Sequence, residues 1–484
     1  SIVNIAARKH EESERVSSSP HPWRFQPFGS CRETLSLLKK ALGTEGMKRV
    51  CELGADRITN LPVDVIHRIL VLLTTKDAAK MATLSTKWRG HWRTIPQLQF
   101  AFYENVLKKD RSRSNEIATK LISNIHKVLL VHDGPIAKFQ LSVDGLMSCD
   151  GIDQIIYYLS NRGLQELALD FSASCIYKLH SSLFNSLYLN SLSLSFCEFR
   201  QPPWVVGFSK LTCLSLAQVT LSSDFFESFL LKCPMVQNLS LTSCEGPSNH
   251  EIVVPCLKKF FFFGGSQKLH FKCTPLLEVV SILSVHEKVD KPADMVALFA
   301  TLPALKRVAI DFKILECLAA GVDNLSTGLP TPLHQLKFLH ICYLDLGCSL
   351  KKARDFVCLI MSSPNLLELT IELDRKQLNQ RANKAATSSI GTLLKAESGD
   401  GSGCCLQHLR VFRLEFCHGT QVELELVRFV LATAPLLGKL YITPHRKWGP
   451  NKASKFMQEV MQYQRVSKEI KIRYKCFWDC DPPS

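Results

Sequence analysis

A chain of 484 residues, 46% hydrophobic and 21% charged, can bury a substantial core in two or more units, which excludes disorder for most of its length. Its 59 Lys and Arg against 44 Asp and Glu leave a formal charge of +15. The basic residues are spread out, no run reaches roughly five or six like charges, and no zinc-finger pair or aromatic-basic strand signature occurs, so nucleic acid is not an expected partner. No apolar run approaches the roughly 20 residues of a membrane span, so no membrane partner is expected. The 19 cysteines form no compact framework and no Cys-x-x-Cys pair. They predict reduced thiols, with neither a disulfide scaffold nor a metal site.

Residues 1–52 mix Ser, Pro, His and charge without apolar periodicity and predict an unfolded extension. Met47 stands just ahead of the first patterned sequence and reads as a natural start. A transit peptide is opposed by Glu11, Glu12 and Glu14. From 53 to 99 the pattern is of three short amphipathic helices, too small to bury their own apolar faces. Pro62 suits a first helical turn, and Ile66, Ile69, Leu70 and Leu73 recur at helical spacing. Thr74 and Asp77 form a loose capping signature for a second helix. Ser85 can cap a third, on which Trp88 and Trp92, four apart, would share one side. A helical linker is expected over 100–135.

From about 136 the chain becomes a series of strands of the form L-x-x-L-x-L-x-x-(N/C/V), the period of leucine-rich repeats, running over 136–360 and on through 361–445. Ile136, Phe139 and Leu141 look like a capping strand. Eleven copies follow, beginning at Leu164, Leu189, Leu211, Val236, Leu257, Leu277, Leu305, Leu336, Leu366, Leu409 and Leu437. Cys197, Cys244 and Cys417 fall at the ninth position, where a small buried residue closes the bend. Amphipathic helices stopped by Pro precede several strands, as in DFFESFLLKCP and ELVRFVLATAPLL. The tail, 446–484, has room for a last strand.

The ordered Leu61-Pro62, Ile66/Ile69/Leu70 stripe, Leu84-Ser85 and Trp88-Arg89 resemble an F-box of the plant type. The segment LQHLRVFRLEFCHGTQVELELVRFVLATAPLLGKLYI is similar to an FBD module. The fold expected from the whole is α/β: a small three-helix F-box, then an irregular leucine-rich-repeat solenoid (horseshoe) ending in an FBD module. The chain thus resembles the plant F-box/FBD/LRR family. That resemblance implies a non-catalytic substrate receptor of a Skp-cullin-F-box ubiquitin ligase, in the nucleus or cytoplasm, without cofactor. It implies that Leu61, Pro62, Ile66, Ile69, Leu70, Leu84, Trp88 and Trp92 bind a Skp-type adaptor, and through it a cullin. Target proteins would be held by the repeats, and proximity would do the work of catalysis.

The residue between the two core positions of each strand should face outward. The early rungs, Ala168, Ser193, Ser215 and Ser240, are small and inert. Phe261, Phe263, Arg307, Phe338 and His340 bring aromatic and Arg side chains together on the middle repeats and are the expected target site. No phosphate loop, G-x-S-x-G elbow or HExxH helix supports an enzyme, and 399–403, GDGSG, follows no strand. A repeat scaffold that binds protein or RNA without ubiquitin machinery is the alternative reading.

Overall fold

The computed structural model describes residues 61–81, 88–102, 111–173, 175–199, 208–220, 223–244, 249–265, 268–284, 299, 302–311, 314–315, 332–344, 356, 358–373, 406–445 and 450–474. The expected extension over 1–52, Leu84 and the Gly-rich segment 399–403 lie outside the described residues. The chain divides into two compact units, Ser1–Leu189 and Asn190–Ser484.

In the first unit, α1 (Val63–Val71) and α2 (Thr75–Met81) form as the apolar spacing requires. The Thr74 hydroxyl accepts the Asp77 backbone N–H at 3.3 Å and donates to the Asp77 carboxylate at 2.8 Å, satisfying one orphan amide of the first turn of α2. The third expected helix is, among the described residues, only a 3-10 turn, His91–Thr94. Gly90 immediately before it weakens helix propagation, and Pro96 precedes a strand. Trp88 and Trp92 therefore do not share a side: Trp88 is buried and Trp92 is half-buried.

The strand that follows, β1 (Gln97–Phe102), is an element the sequence reading missed. Ile95, Leu98 and Phe100 are buried in the same 1-4-6 spacing as the later repeats, so the repeat pattern begins before the helical linker. That linker is α3 (Arg111–Val131). Then come β2 (Lys138–Val143), the expected capping strand, α4 (Asp150–Ser160) and β3 (Glu166–Asp170). β1, β2 and β3 pair in parallel, register Gln97↔Lys138↔Glu166. The backbone N–H of Gln99 donates to Thr75 Oγ1 at 2.7 Å and pins α2 to β1. Gly134 lets the α3–β2 connection pass the 3-10 turn, because a Cβ there would lie 2.8 Å from the Thr94 carbonyl oxygen.

Beside a separate two-stranded sheet of Asn249–Val253 and Lys268–Lys272, the second unit holds one long parallel sheet in chain order. Its strands are β4 (Ser191–Ser195), β5 (Cys213–Ala217), β6 (Asn238–Thr242), β7 (Lys259–Gly264), β8 (Val279–Ser284), β9 (Arg307–Asp311), β10 (Phe338–Leu344), β11 (Glu368–Leu373), β12 (Val411–Cys417), β13 (Lys439–Pro444) and β14 (Lys471–Tyr474). Each of the eleven predicted repeats, from Leu164 to Leu437, contributes its strand where expected, and their residues at positions 1, 4 and 6 are buried throughout. Such stacking satisfies each strand's backbone groups with its neighbours while removing each leucine from water, about 1.5–3 kcal/mol per side chain. Position 8 turns the chain: Phe196, Gln218, Ser243, Tyr343 and Phe416 all have φ between 47 and 60°. The ninth-position side chains Cys197, Val219, Cys244, Leu344 and Cys417 then enter the core.

Between strands, α5 (Ser223–Leu231) and α6 (Gln421–Thr433) confirm two of the expected helices. A helix in the tail, α7 (Pro450–Gln462), was not expected; it packs against α6 through an apolar stripe of Ala453, Phe456 and Val460. The expected last strand is β14, whose Lys471 pairs with Lys439 of β13.

Candidate functional site

The helical segment presents a different face from the one its periodicity suggests. Ile66, Ile69 and Leu70 are 1, 7 and 0% exposed, and Trp88 is 1% exposed, so these four are covered by the chain itself. A hydrogen bond of 3.2 Å between the His67 and His91 rings ties α1 to the 3-10 turn. Left at the surface are Pro62, exposed, and Leu61 and Trp92, half-buried. Val63, 52% exposed, joins them. Val63 precedes Ile66 and Leu70 by three and seven residues and so lies at the amino-terminal edge of their stripe; sequence reasoning did not single it out, because periodicity alone does not show that this end of the stripe stays uncovered.

On the second unit, positions 3, 5 and 7 of each strand face away from the leucine core. Arg307 and Phe338 are register partners, and the guanidinium carbon lies 3.9 Å from the ring centroid, a cation–π contact. His340 is two residues from Phe338 on β10, with its Nε2 3.6 Å from Cys342 Sγ and 3.8 Å from Glu372 Oε2. These three predicted residues come together. Phe261 and Phe263, both half-buried, sit on β7, two strands from β9 and so about 10 Å away at ordinary strand spacing. They lie on the same outward face, while Phe260 and Phe262 alternate with them and point into the core.

Burial pulls the His340 imidazole down from 6.5 to about 4, against a smaller upward pull from Glu368. It is therefore neutral at pH 7, and its approach to Glu372 is not an ion pair. Burial first, then Glu372, Asp311 and Glu415, pushes the Cys342 thiol well up, so that it stays protonated. The His340, Cys342 and Glu372 donor atoms lie within 4.8 Å of one another. They offer one nitrogen, one sulfur and one oxygen, a set with metal-binding chemistry but short of the four ligands of a closed structural zinc site. The sequence reading singled out aromatic, Arg and His side chains on this face and so passed over Cys342 and Glu372, which stand at position 7 of their strands.

Further along the same face, Arg413 donates to Glu368 at 2.8 Å and covers the Tyr441 ring at 4.3 Å. Arg473 approaches that ring from β14 at 6.0 Å. Beneath, the Glu423 carboxylate on α6 is buried and accepts the backbone N–H groups of His418 at 3.0 Å and Gly419 at 2.8 Å.

Three family models match the chain: "F-box domain" over residues 58–98, "FBD-associated F-box protein At5g56370, LRR repeats" over 152–306, and "FBD" over 401–442. Among similar proteins from Arabidopsis thaliana, "F-box/FBD/LRR-repeat protein At1g13570" is 29% identical over 87% of this chain and 98% of its own length. "F-box/FBD/LRR-repeat protein At3g26920" is 25% identical over 86% and 96% respectively. "FBD-associated F-box protein At5g56380" is 25% identical over 86% and 99%.

Proposed function

Because the chain belongs to the F-box/FBD/LRR-repeat family, we propose that it is the substrate-recognition subunit of a Skp-cullin-F-box ubiquitin ligase. In this reading residues 58–98 bind a Skp-type adaptor, and through it a cullin, while the repeats and FBD module hold a target protein. The chain itself does no chemistry. Holding target lysines near a ubiquitin-loaded enzyme raises their effective concentration, which is the whole of its contribution. The target site is centred on Arg307, Phe338 and His340 and extends to Phe261 and Phe263.

The observation that carries the adaptor half is the division of apolar residues in the helical segment. Ile66, Ile69, Leu70 and Trp88 hold it together from within, and Leu61, Pro62, Val63 and Trp92 remain for a partner. Apolar side chains left at a surface beside a buried core have the make-up of a docking anchor. We place the protein in the nucleus or cytoplasm, a reading supported by the free thiols of the described cysteines.

The test is capture of the full chain by a purified Skp-type adaptor. Wild type should be retained, and Val63→Asp combined with Leu61→Asp should lose capture by at least about tenfold, since a charge at a desolvated anchor is left unpaired. No retention by any Skp-type adaptor would overturn the ligase reading and leave the repeats as a free-standing scaffold.

A further inference from the structure

The sheet of the second unit carries its cations at one end. Position 2 residues are aligned by the strand-to-strand hydrogen bonds that open each rung, Glu278 N to Lys258 O, Lys306 N to Glu278 O, Lys337 N to Lys306 O, and Arg410 N to Leu367 O. Position 3 residues align by register: Lys259↔Val279↔Arg307↔Phe338↔Glu368↔Val411↔Lys439↔Lys471. Together they set Lys258, Lys259, Lys337, Arg410, Lys439 and Lys471 along the amino-terminal edge of the strands, all exposed. Lys306 and Arg307 stand in the same row.

The row has two carboxylates, and both are already engaged: Glu278 with Lys306 at 2.7 Å and Glu368 with Arg413 at 2.8 Å. Among the described residues no ion pair joins Lys258, Lys259, Lys337, Arg410, Lys439 or Lys471. The preceding three strands are different. Their corresponding positions are Asn190 and Ser191, Thr212 and Cys213, Gln237 and Asn238, without a charge among them. The basic edge thus begins abruptly at β7, the strand where the aromatic rungs also begin.

Four residues further along the strands the sign reverses. Asp311, Glu372 and Glu415 stand at position 7 of β9, β11 and β12, about 13 Å from the basic row at strand rise. The exposed charge is thus positive at the strand starts, while toward their ends the Asp311 and Glu372 carboxylates are buried and that of Glu415 is half-buried, with Phe261, His340, Arg413, Tyr441 and Arg473 between.

We propose that the basic edge from β7 to β14 binds an extended acidic polypeptide segment of the target, laid across the strands. This rests on the reading of the repeats as the target-binding part and names the chemistry that the target brings. Seven strand spacings of about 4.8 Å make an edge of about 34 Å, the reach of about ten extended residues. Apolar or aromatic side chains of the segment would meet the Phe261, Phe338 and Tyr441 rungs, while its carboxylates meet the cations. A nucleic acid is charged along its whole length and would bring phosphates toward the acidic row, whereas a peptide can carry its charges on one side only.

The experiment uses the full chain and a fluorescein-labelled peptide of about ten residues, Glu and Asp with one central Phe, read by anisotropy. A Gln/Asn peptide of the same length and a single-stranded oligonucleotide of comparable reach are the competitors. The acidic peptide should bind, should weaken about tenfold as salt rises from about 0.05 to 0.5 M, and should outcompete both others. Lys337→Glu with Arg410→Glu should cost about tenfold or more, and the milder Lys258→Gln with Lys259→Gln about threefold, while Lys455→Glu on α7 changes nothing. Equal binding of the neutral peptide, tighter binding of the oligonucleotide, or equal effects of the edge variants and Lys455→Glu would each overturn the proposal. Adaptor capture is scored on the same proteins. Peptide binding lost with capture intact counts against the acidic segment alone, and capture lost with peptide binding intact counts against the ligase reading alone.

Discussion

At position 8 of five repeats a residue other than glycine holds a left-handed backbone, a conformation costing roughly 1–2 kcal/mol for an L-residue. Gln218 is the clearest case, because its side chain is exposed while its N–H donates to the Thr242 carbonyl at 2.8 Å. Gln218→Gly keeps that bond and relieves the strain, at the expense of a more flexible unfolded chain. It should raise stability by about 0.5–1 kcal/mol in denaturant unfolding, and Gln218→Val should lower it by about 1–2 kcal/mol. A second consequence at this scale concerns His340. Its imidazole falls from 6.5 to about 4 on folding, so between those values the unfolded chain binds more protons than the folded one. The stabilising contribution is complete above pH 6.5 and is lost as the pH falls toward 4, by up to about 3 kcal/mol. His340→Gln should flatten that part of the stability–pH curve, measured by urea unfolding at a series of pH values. None of this was legible in the sequence. A histidine at position 5 says nothing about how deeply its neighbours cover it, and a Gln at position 8 carries no mark of its φ.

At the scale of elements, local chemistry did more. The Thr420 hydroxyl accepts the Glu423 N–H at 3.4 Å while the Glu423 carboxylate returns to the Thr420 N–H, also at 3.4 Å, a complete capping box for α6. Because the same buried carboxylate accepts from His418 and Gly419, Glu423→Ala would strand several backbone donors in the core. The expected loss is about 2–4 kcal/mol in thermal or denaturant unfolding, well beyond that of a surface cap. In the helical segment the two kinds of apolar residue separate by the same measurement. Trp88→Ala should cost about 3–5 kcal/mol of stability, as for a large buried aromatic, whereas Val63→Asp should stay within about 0.5 kcal/mol and act on adaptor capture. The third expected helix shows where local reading ends, for among the described residues a 3-10 turn, His91–Thr94, stands in its place. Trp88 and Trp92 have helical spacing, but Gly90 lies between them and β1 begins at Gln97, so too little chain remains to build full turns against the competing strand.

For the whole molecule, a parallel stack needs an end. α7 and β14 supply it: β14 covers the open edge of β13, Val466 N–H donates to the Leu431 carbonyl at 3.2 Å, and the Ser467 hydroxyl to the Leu437 carbonyl at 2.7 Å. Removal of residues 447–484 should bare the β13 edge and the apolar side of α6, seen as self-association in light scattering and a lower melting temperature. The stacking order itself was legible in the sequence. Positions 1, 4 and 6 must be apolar in every copy for neighbours to share one core, so a linear pattern encodes eleven strands, and Leu164 through Leu437 could be placed without coordinates. The outermost element of each unit was less legible, since β1 hides ahead of a helical linker and the apolar stripe of α7 lies in a polar tail. What only tertiary structure decided is which side chains meet across strands. Lys259, Arg307, Lys439 and Lys471 are separated by up to 212 residues in the chain, yet register sets them in one row. Likewise Ile66 and Val63 differ little as residues, and only packing against the rest of the unit buries the first and leaves the second at the surface. Periodicity fixes what a strand or helix must hide, because burial repeats with the backbone. Surface chemistry is set by neighbours distant in sequence, which no local period records.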